Sequence, residues 1–417
     1  MIHINHFLCV YLSLFLLSFL VETWIDFLNV IHLKKRGRSI PDGFGEIIVP
    51  EKLAEMNDYT IDQTILNVFN RIAGKALFLF IILSGFLPWI SEKIAGFPYV
   101  LAGLGFFVVP GLATALIDLP FDYYHIFKIE EKYGFNTQTV RSWVADLLKS
   151  MIIASILGAL LLSLLLLMVR YSGNVWWIWA WLIFFAFQLL MTVIYPTLIA
   201  PIFNKFTPIE DNELAKKIED LSHKEGLVIK GIFQMDAARR SRHTNAYFTG
   251  LGKSKRIVLY DTLLNSHEDD EILAVLAHEI GHLKRGHIKK QLMIIGIVSL
   301  ILFFLASRMI EWKWMFESFG FSNTLIYVGL FLIAVLWEPV GFFLSPLAMV
   351  ISRRFEREAD QYVFNAFEAG KPLIRALKKM ALDNLSNLHP HPLFVCFHYS
   401  HPPLTERIKN LKSLSDG

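Results

Sequence analysis

Residues 151–169 read MIIASILGALLLSLLLLMV, a run without a single charged side chain. A helix needs about 20 mostly apolar residues to cross a bilayer core of ~30 Å, and this run meets that length. A second run, QLMIIGIVSLILFFLAS (291–307), has the same character. Further apolar stretches near 6–30, 66–90, 99–120, 175–200 and 325–351 bring the expected number of spans to about seven. The expected fold is therefore a mostly α membrane protein. The first stretch holds Glu22 and Asp26, and the last holds Glu338 and two prolines.

Composition agrees with that reading. Of 417 residues, 54% are hydrophobic, and the mean hydropathy is +0.46. A water-facing surface has no place for that excess, whereas lipid does. The net charge of +3 is small for the length, and the basic residues form no aromatic-interleaved stripe. Nucleic acid is accordingly not an expected partner. The two cysteines, Cys9 and Cys396, are too few for a disulfide framework or a Cys-rich metal site, and both read as buried structural thiols. The N-terminal run lacks a basic leading region and a small-residue cleavage site, and Lys34, Lys35, Arg36 and Arg38 follow it. It reads as a retained first span.

Charges at membrane depth usually face a bundle interior or a wet cavity. Glu22, Asp26, Asp118, Asp122 and Glu338 are therefore candidates for lining a polar chamber. For Asp118 and Asp122 a place at helix ends in the headgroup zone is the alternative. The chain divides into 1–200, holding five spans; 201–290, a polar segment; 291–352, holding spans six and seven; and 353–417, a polar C-terminal segment. Within the first polar segment, 211–225 reads as an amphipathic helix followed by a β-like stretch. NAYFTG (245–250) and RIVLYDTLL (256–264), separated by Gly252, read as strands. DDEILAVLAHEIGHLKRGHI (269–288) reads as one helix, acidic at its start and basic near its end. With seven spans, the loops after the first, third and fifth share a face with the C-terminal tail. They hold nearly all the Lys and Arg, against scattered cations such as Lys93, Arg170, Arg308 and Lys313 opposite. That asymmetry places both polar segments in the cytoplasm.

The chemistry is written in HEIGH, residues 278–282. Four apart on a helix, His278 and His282 lie on one face and can reach one zinc ion. Glu279 on the adjacent face is suited to take a proton from the attacking water. Two incidental surface histidines are the bland alternative. A catalytic zinc takes three protein ligands. The longer histidine pattern of metzincins would need Gly and His where Arg285 and Ile288 stand, so that class is excluded. His287 is one position short and reads as an ordinary helix-face residue. Glu356 in SRRFEREADQY is the best third ligand. HEIGH precedes one span and Glu356 follows the next, so one helical hairpin returns both to the same membrane face. Asp360, a turn later, is placed to accept the N–H of a zinc-bound histidine. Glu358 lies on roughly the opposite side and is a weaker ligand candidate, and Glu338 is a rival inside the preceding span.

Beyond HEIGH the chain resembles the type I CAAX prenyl proteases. The resemblance covers about 120–417 and rests on IEEKYGFNTQT (129–139), PIFNKFTP (201–208), NAYFTG (245–250), SKRIVLYDTLL (254–264), SRRFEREAD (352–360) and HYSHPPLTERI (398–408), in the family's order. It implies that His278, His282 and Glu356 hold zinc, and that Glu279 is the catalytic glutamate. It further implies that Asn245 stands beside a substrate-binding edge strand, and that His401 and Arg407 reach the active site. The implied fold is a barrel of seven tilted helices around a chamber, closed by a gluzincin-type zinc peptidase domain with a small β-sheet. Donors such as His401 and Arg407 suit a tetrahedral oxyanion. Arg357 and Glu358 replace the family's usual aromatic and Gln. The plain ending SLSDG favours a bacterial cytoplasmic membrane over the endoplasmic reticulum.

The expected activity is that of a zinc metalloendopeptidase acting on peptides or membrane-associated proteins in a lipid bilayer. A quality-control protease of the bacterial heat-shock type, a transporter or receptor with a degenerate zinc site, and a membrane scaffold are the other readings.

Overall fold

The computed structural model describes residues 2–209, 213–249, 255–367 and 370–415. Seven of its helices are long and apolar enough to cross a membrane: His6–Arg36, Pro50–Leu83, Tyr99–Glu130, Val140–Tyr171, Gly173–Phe203, His287–Met309 and Ile326–Asn365. These are called spans one to seven. Most outrun the apolar stretches that announced them. Span two begins at Pro50, well before residue 66, and the residues beyond Leu83 form a separate short helix, Phe86–Ile94. The helix of span seven runs unbroken through Pro339 and Pro346 to Phe367. Hydropathy marks only the lipid-facing part of a helix, whereas backbone hydrogen bonding carries it on into water.

The apolar cluster inside the spans joins Phe15 of span one, Ile82 of span two, Phe106 of span three, Leu166 of span four and Leu332 of span seven. Charges at this depth are paired between helices. Arg71 meets Glu22 at 3.2 Å and Asp26 at 2.7 Å, and Lys75 pairs with Glu338. Asp118 and Asp122 stand apart from these pairs and are exposed; Asp122 accepts from Trp143 Nε1 at 2.8 Å. The thiols are a correction, because Cys9 is exposed and Cys396 only half-buried. In a helix facing lipid, a small apolar side chain gains nothing from turning inward.

The polar part is built around four strands: β1 (Phe206–Pro208), β2 (Ile229–Met235), β3 (Ala246–Thr249) and β4 (Lys255–Tyr260). Their order is β1-β2-β4-β3. β4 runs parallel to β2 and antiparallel to β3, so β3 lies at an edge among the described residues. RIVLYDTLL is only partly strand, since Asp261–Ser266 is helical. Gly252 and Gly250 lie outside the described residues. The amphipathic helix is Glu213–Lys224. One face of the sheet, through Ile257 and Leu259, packs on Ile272 and Leu276 of the helix Asp269–Lys284, called here the HEIGH helix. That helix's Ala274 and Ala277 pack with Val363 of span seven's helix, Leu373 and Leu377 of the helix Gly370–Asp383, and Ile408 of the helix Leu404–Ser415.

The HEIGH helix starts on a reciprocal cap between Glu268 and Glu271, with Asp269, Asp270 and Glu271 in its first turn. It does not run on to residue 288. Gly286 adopts φ 67°, a left-handed conformation that suits glycine, and a new helix, span six, begins at His287.

Candidate metal centre and active site

His278 is buried and His282 half-buried on one face of the HEIGH helix. Their Nε2 atoms are 3.1 Å apart. Glu356, on the helix of span seven, brings Oε2 to 3.3 Å from His278 Nε2 and Oε1 to 3.3 Å from His282 Nε2. One ligand atom from each of the three lies within 4.8 Å of the others. The donor set fits a metal, and zinc in particular. Four-coordinate zinc with bonds of about 2.0–2.1 Å has donor–donor edges of roughly 3.3 Å, close to the spacings here. Glu356 Oε2 is buried without a hydrogen-bond partner, as an atom reserved for a cation would be. Glu338, the rival ligand, is instead engaged with Lys75.

Gly281 explains how the helices come so close. A Cβ there would lie 3.2 Å from the Cα and carbonyl oxygen of Ala359 and from Cβ of Tyr362. The missing side chain lets the HEIGH helix sit against the backbone of the helix that carries Glu356.

Asp360 Oδ1 is 2.9 Å from His278 Nδ1. The same carboxylate accepts two hydrogen bonds from Arg407, from Nε at 2.9 Å and from Nη2 at 2.7 Å. Arg407 is 8% exposed, and its Nη1 lies 4.0 Å from Glu356 Oε2. Burial acts against the charged guanidinium, and Asp360 outweighs it, so Arg407 is held even more firmly protonated than usual. Burial is the largest influence on Glu279 and raises its carboxyl above the ordinary range, against the opposing pull of His278 and His282. His401 is the open member of the group, with a side chain 61% exposed and Nε2 3.3 Å from Glu356 Oε1.

Asn245 is exposed at the start of β3. Its side chain accepts from Ala246 N at 2.8 Å and its carbonyl accepts from Tyr260 N at 3.1 Å. The loop leading into β3 is clamped. Asn384 Oδ1 accepts from Thr244 N at 3.0 Å, and His243 bridges Asn384 Oδ1 and Glu130 Oε2 at 3.1 Å each.

The sequence reading missed His287. It is not an ordinary surface position: it is 1% exposed and lies 2.9 Å from His282. Glu358, placed on the far side of its helix, is 3.1 Å from His287 Nε2. The break at Gly286 accounts for the miss at His287, because the chain turns there and returns it toward the site. Arg353 lies on the same helix as Glu358. It is buried and donates to the carbonyls of Val395 and Tyr399 at 2.8 and 2.7 Å, capping the end of the helix that leads to His401.

Two family models together cover most of the chain: "CAAX prenyl protease N-terminal, five membrane helices" over residues 29–205, and "Peptidase family M48" over residues 208–415. The CAAX prenyl protease 1 homolog of Oryza sativa subsp. japonica is 33% identical over 412 residues, spanning 96% of each chain. This chain belongs to the CAAX prenyl protease family. The human homolog is 32% identical, over 96% of this chain and 95% of its own. CAAX prenyl protease 1 of Saccharomyces cerevisiae is 38% identical over 321 residues, covering 73% of this chain and 70% of its own. The crystal structure of S. mikatae Ste24p superposes with a TM-score of 0.92 at 31% identity, over 98% of this chain and all of that one. Membership makes the chain a multi-pass membrane metallopeptidase, mostly helical with a small mixed sheet. The transporter and scaffold readings fall away.

Proposed function

We propose that this CAAX prenyl protease family member is a zinc endopeptidase that cleaves near the C-terminus of prenylated or other membrane-associated peptides, with His278, His282 and Glu356 holding the metal. The observation that carries this reading is the convergence of two imidazole Nε2 atoms and one buried carboxylate at tetrahedral spacings. Zinc, when bound, supplies the Lewis acid that polarises the scissile carbonyl.

The residues of the chain do the rest. Glu279 takes the proton of the attacking water and returns it to the leaving amine, and its burial keeps it a strong enough base for that exchange. His401, the exposed member of the group, donates to the developing oxyanion. Arg407 adds its charge through Nη1 while its other nitrogens hold Asp360. Asp360 fixes the tautomer of His278, leaving Nε2 free for the metal. An extended substrate adds to the edge strand β3, whose entry Asn245 marks.

The Lys and Arg of the loops beside the catalytic segments support a cytoplasmic orientation for them. The membrane is then the cytoplasmic membrane in a bacterium and the endoplasmic reticulum in a eukaryote.

Membranes carrying wild type and Glu279→Gln, compared by proteomics, test the reading. Uncleaved proteins that accumulate only in the variant name the substrates. A variant with full peptidase activity and a full complement of zinc refutes the role of Glu279.

A further inference from the structure

The two proposed metal-binding histidines are supported differently. His278 hands its Nδ1 straight to a carboxylate, Asp360. The Nδ1 of His282 instead lies 2.9 Å from Nδ1 of a third histidine, His287, whose Nε2 lies 3.1 Å from Glu358 Oε2. His287 is 1% exposed and stacked on Phe355, with ring centroids 4.3 Å apart and planes 10° from parallel. It can neither turn away nor exchange its partners for water.

The proton positions follow from the chemistry. His282 points Nε2 at Glu356 and at His278 Nε2. A neutral imidazole that gives Nε2 to a metal must carry its proton on Nδ1. That proton is donated to His287 Nδ1, which therefore has none of its own. The proton of His287 then sits on Nε2 and is donated to Glu358. Two nitrogens 2.9 Å apart allow no other neutral arrangement in which His282 keeps Nε2 free.

We infer that His287 and Glu358 form a relay that positions His282 for metal binding, a carboxylate acting on the ligand through a neutral imidazole. Glu358 is itself fixed by Arg354 Nε at 2.9 Å and by Lys290 Nζ at 3.6 Å. The relay ties the first residue of span six to the helix of span seven beside the metal ligands. It also gives the unusual charge at Glu358 a task, since a full carboxylate is a stronger acceptor for His287 than a neutral amide.

The inference rests on the zinc reading, and one experiment separates the two. Zinc affinity of the purified full-length protein in detergent is measured by competition with a chromogenic chelator. His287→Phe keeps a ring against Phe355 and removes the relay; it is expected to weaken zinc binding by about 10–100-fold. His287→Gln retains an acceptor and a donor and is expected to recover most of that loss. Glu358→Gln keeps an acceptor without the charge and is expected to fall between wild type and His287→Phe. The visible spectrum of the cobalt(II)-loaded protein is expected to shift in the Phe variant and to return toward wild type in the Gln variant. If His287→Phe holds zinc as tightly as wild type, or His287→Gln loses as much as His287→Phe, the relay is refuted. Should His287→Phe fail to fold, the ordering of His287→Gln and Glu358→Gln against wild type decides: equal affinity in all three overturns the inference. A wild-type protein that binds no zinc refutes the metal reading and, with it, the relay.

Discussion

Replacing Asp360 by alanine tests the polar framework beneath the metal centre. Asp360 receives two hydrogen bonds from Arg407, at 2.9 and 2.7 Å, and one from His278 at 2.9 Å. Asp360 is 6% exposed and Arg407 8%, so water cannot replace what is removed. Taking one partner from a buried, hydrogen-bonded ion pair leaves an uncompensated charge and costs about 3–5 kcal/mol. Removing both charges avoids that penalty. Asp360→Ala combined with Arg407→Met is therefore expected to be less destabilised than the sum of the two single variants, by about 1–3 kcal/mol. Thermal unfolding of the purified protein in detergent, with excess chelator so that metal binding does not enter, measures all four corners of the cycle. Asp360→Asn, which keeps the shape and an acceptor, is expected to lose less than Asp360→Ala. Additive shifts, within about 0.5 kcal/mol, would show that Arg407 is not held by Asp360 and would refute the reasoning.

Glu279→Gln should retain zinc and lose peptidase activity by about 10²–10⁴-fold, measured on a quenched fluorescent peptide with metal content checked in parallel. Gly281→Ala introduces a Cβ at 3.2 Å from Ala359 backbone atoms; it should cost about 1–3 kcal/mol of stability and lower zinc affinity, and an unchanged affinity would show that the interhelix spacing does not set the site. Burial opposes protonation of His243, but hydrogen bonds with Glu130 and Asn384 outweigh it, so its pKa lies above the ordinary histidine value. Its stabilising contribution is therefore full below about pH 6.5 and fades as pH rises through the folded-state value; His243→Gln should flatten that part of the melting-temperature profile.

The spans were legible because a membrane demands long apolar runs, and no other solvent does. HEIGH was legible because its histidines share a helix face. Glu356 could be inferred because two consecutive spans return the chain to one side, and the structure does bring its carboxylate to 3.3 Å from both imidazoles. What escaped was whatever depended on a break in regular structure. The left-handed turn at Gly286 was hidden inside a continuous helical pattern, and with it the return of His287 to His282. Glu358 is not among the clustered ligand groups, but a helical wheel, which states the face a residue occupies, could not show that His287 comes to meet it. The acceptors of Arg353, the carbonyls of Val395 and Tyr399, lie more than forty residues ahead, and no local pattern announces them.

Span seven's helix runs from Ile326 to Phe367 without interruption, and Glu356 rides on it roughly 45 Å from its start at 1.5 Å per residue. The rod is therefore a ruler as well as an anchor. Inserting one residue anywhere ahead of Glu356 would turn the carboxylate by about 100° and raise it by about 1.5 Å, out of reach of His278 and His282. Single-residue insertions and deletions in that stretch should abolish activity even where point substitutions on the lipid face are silent.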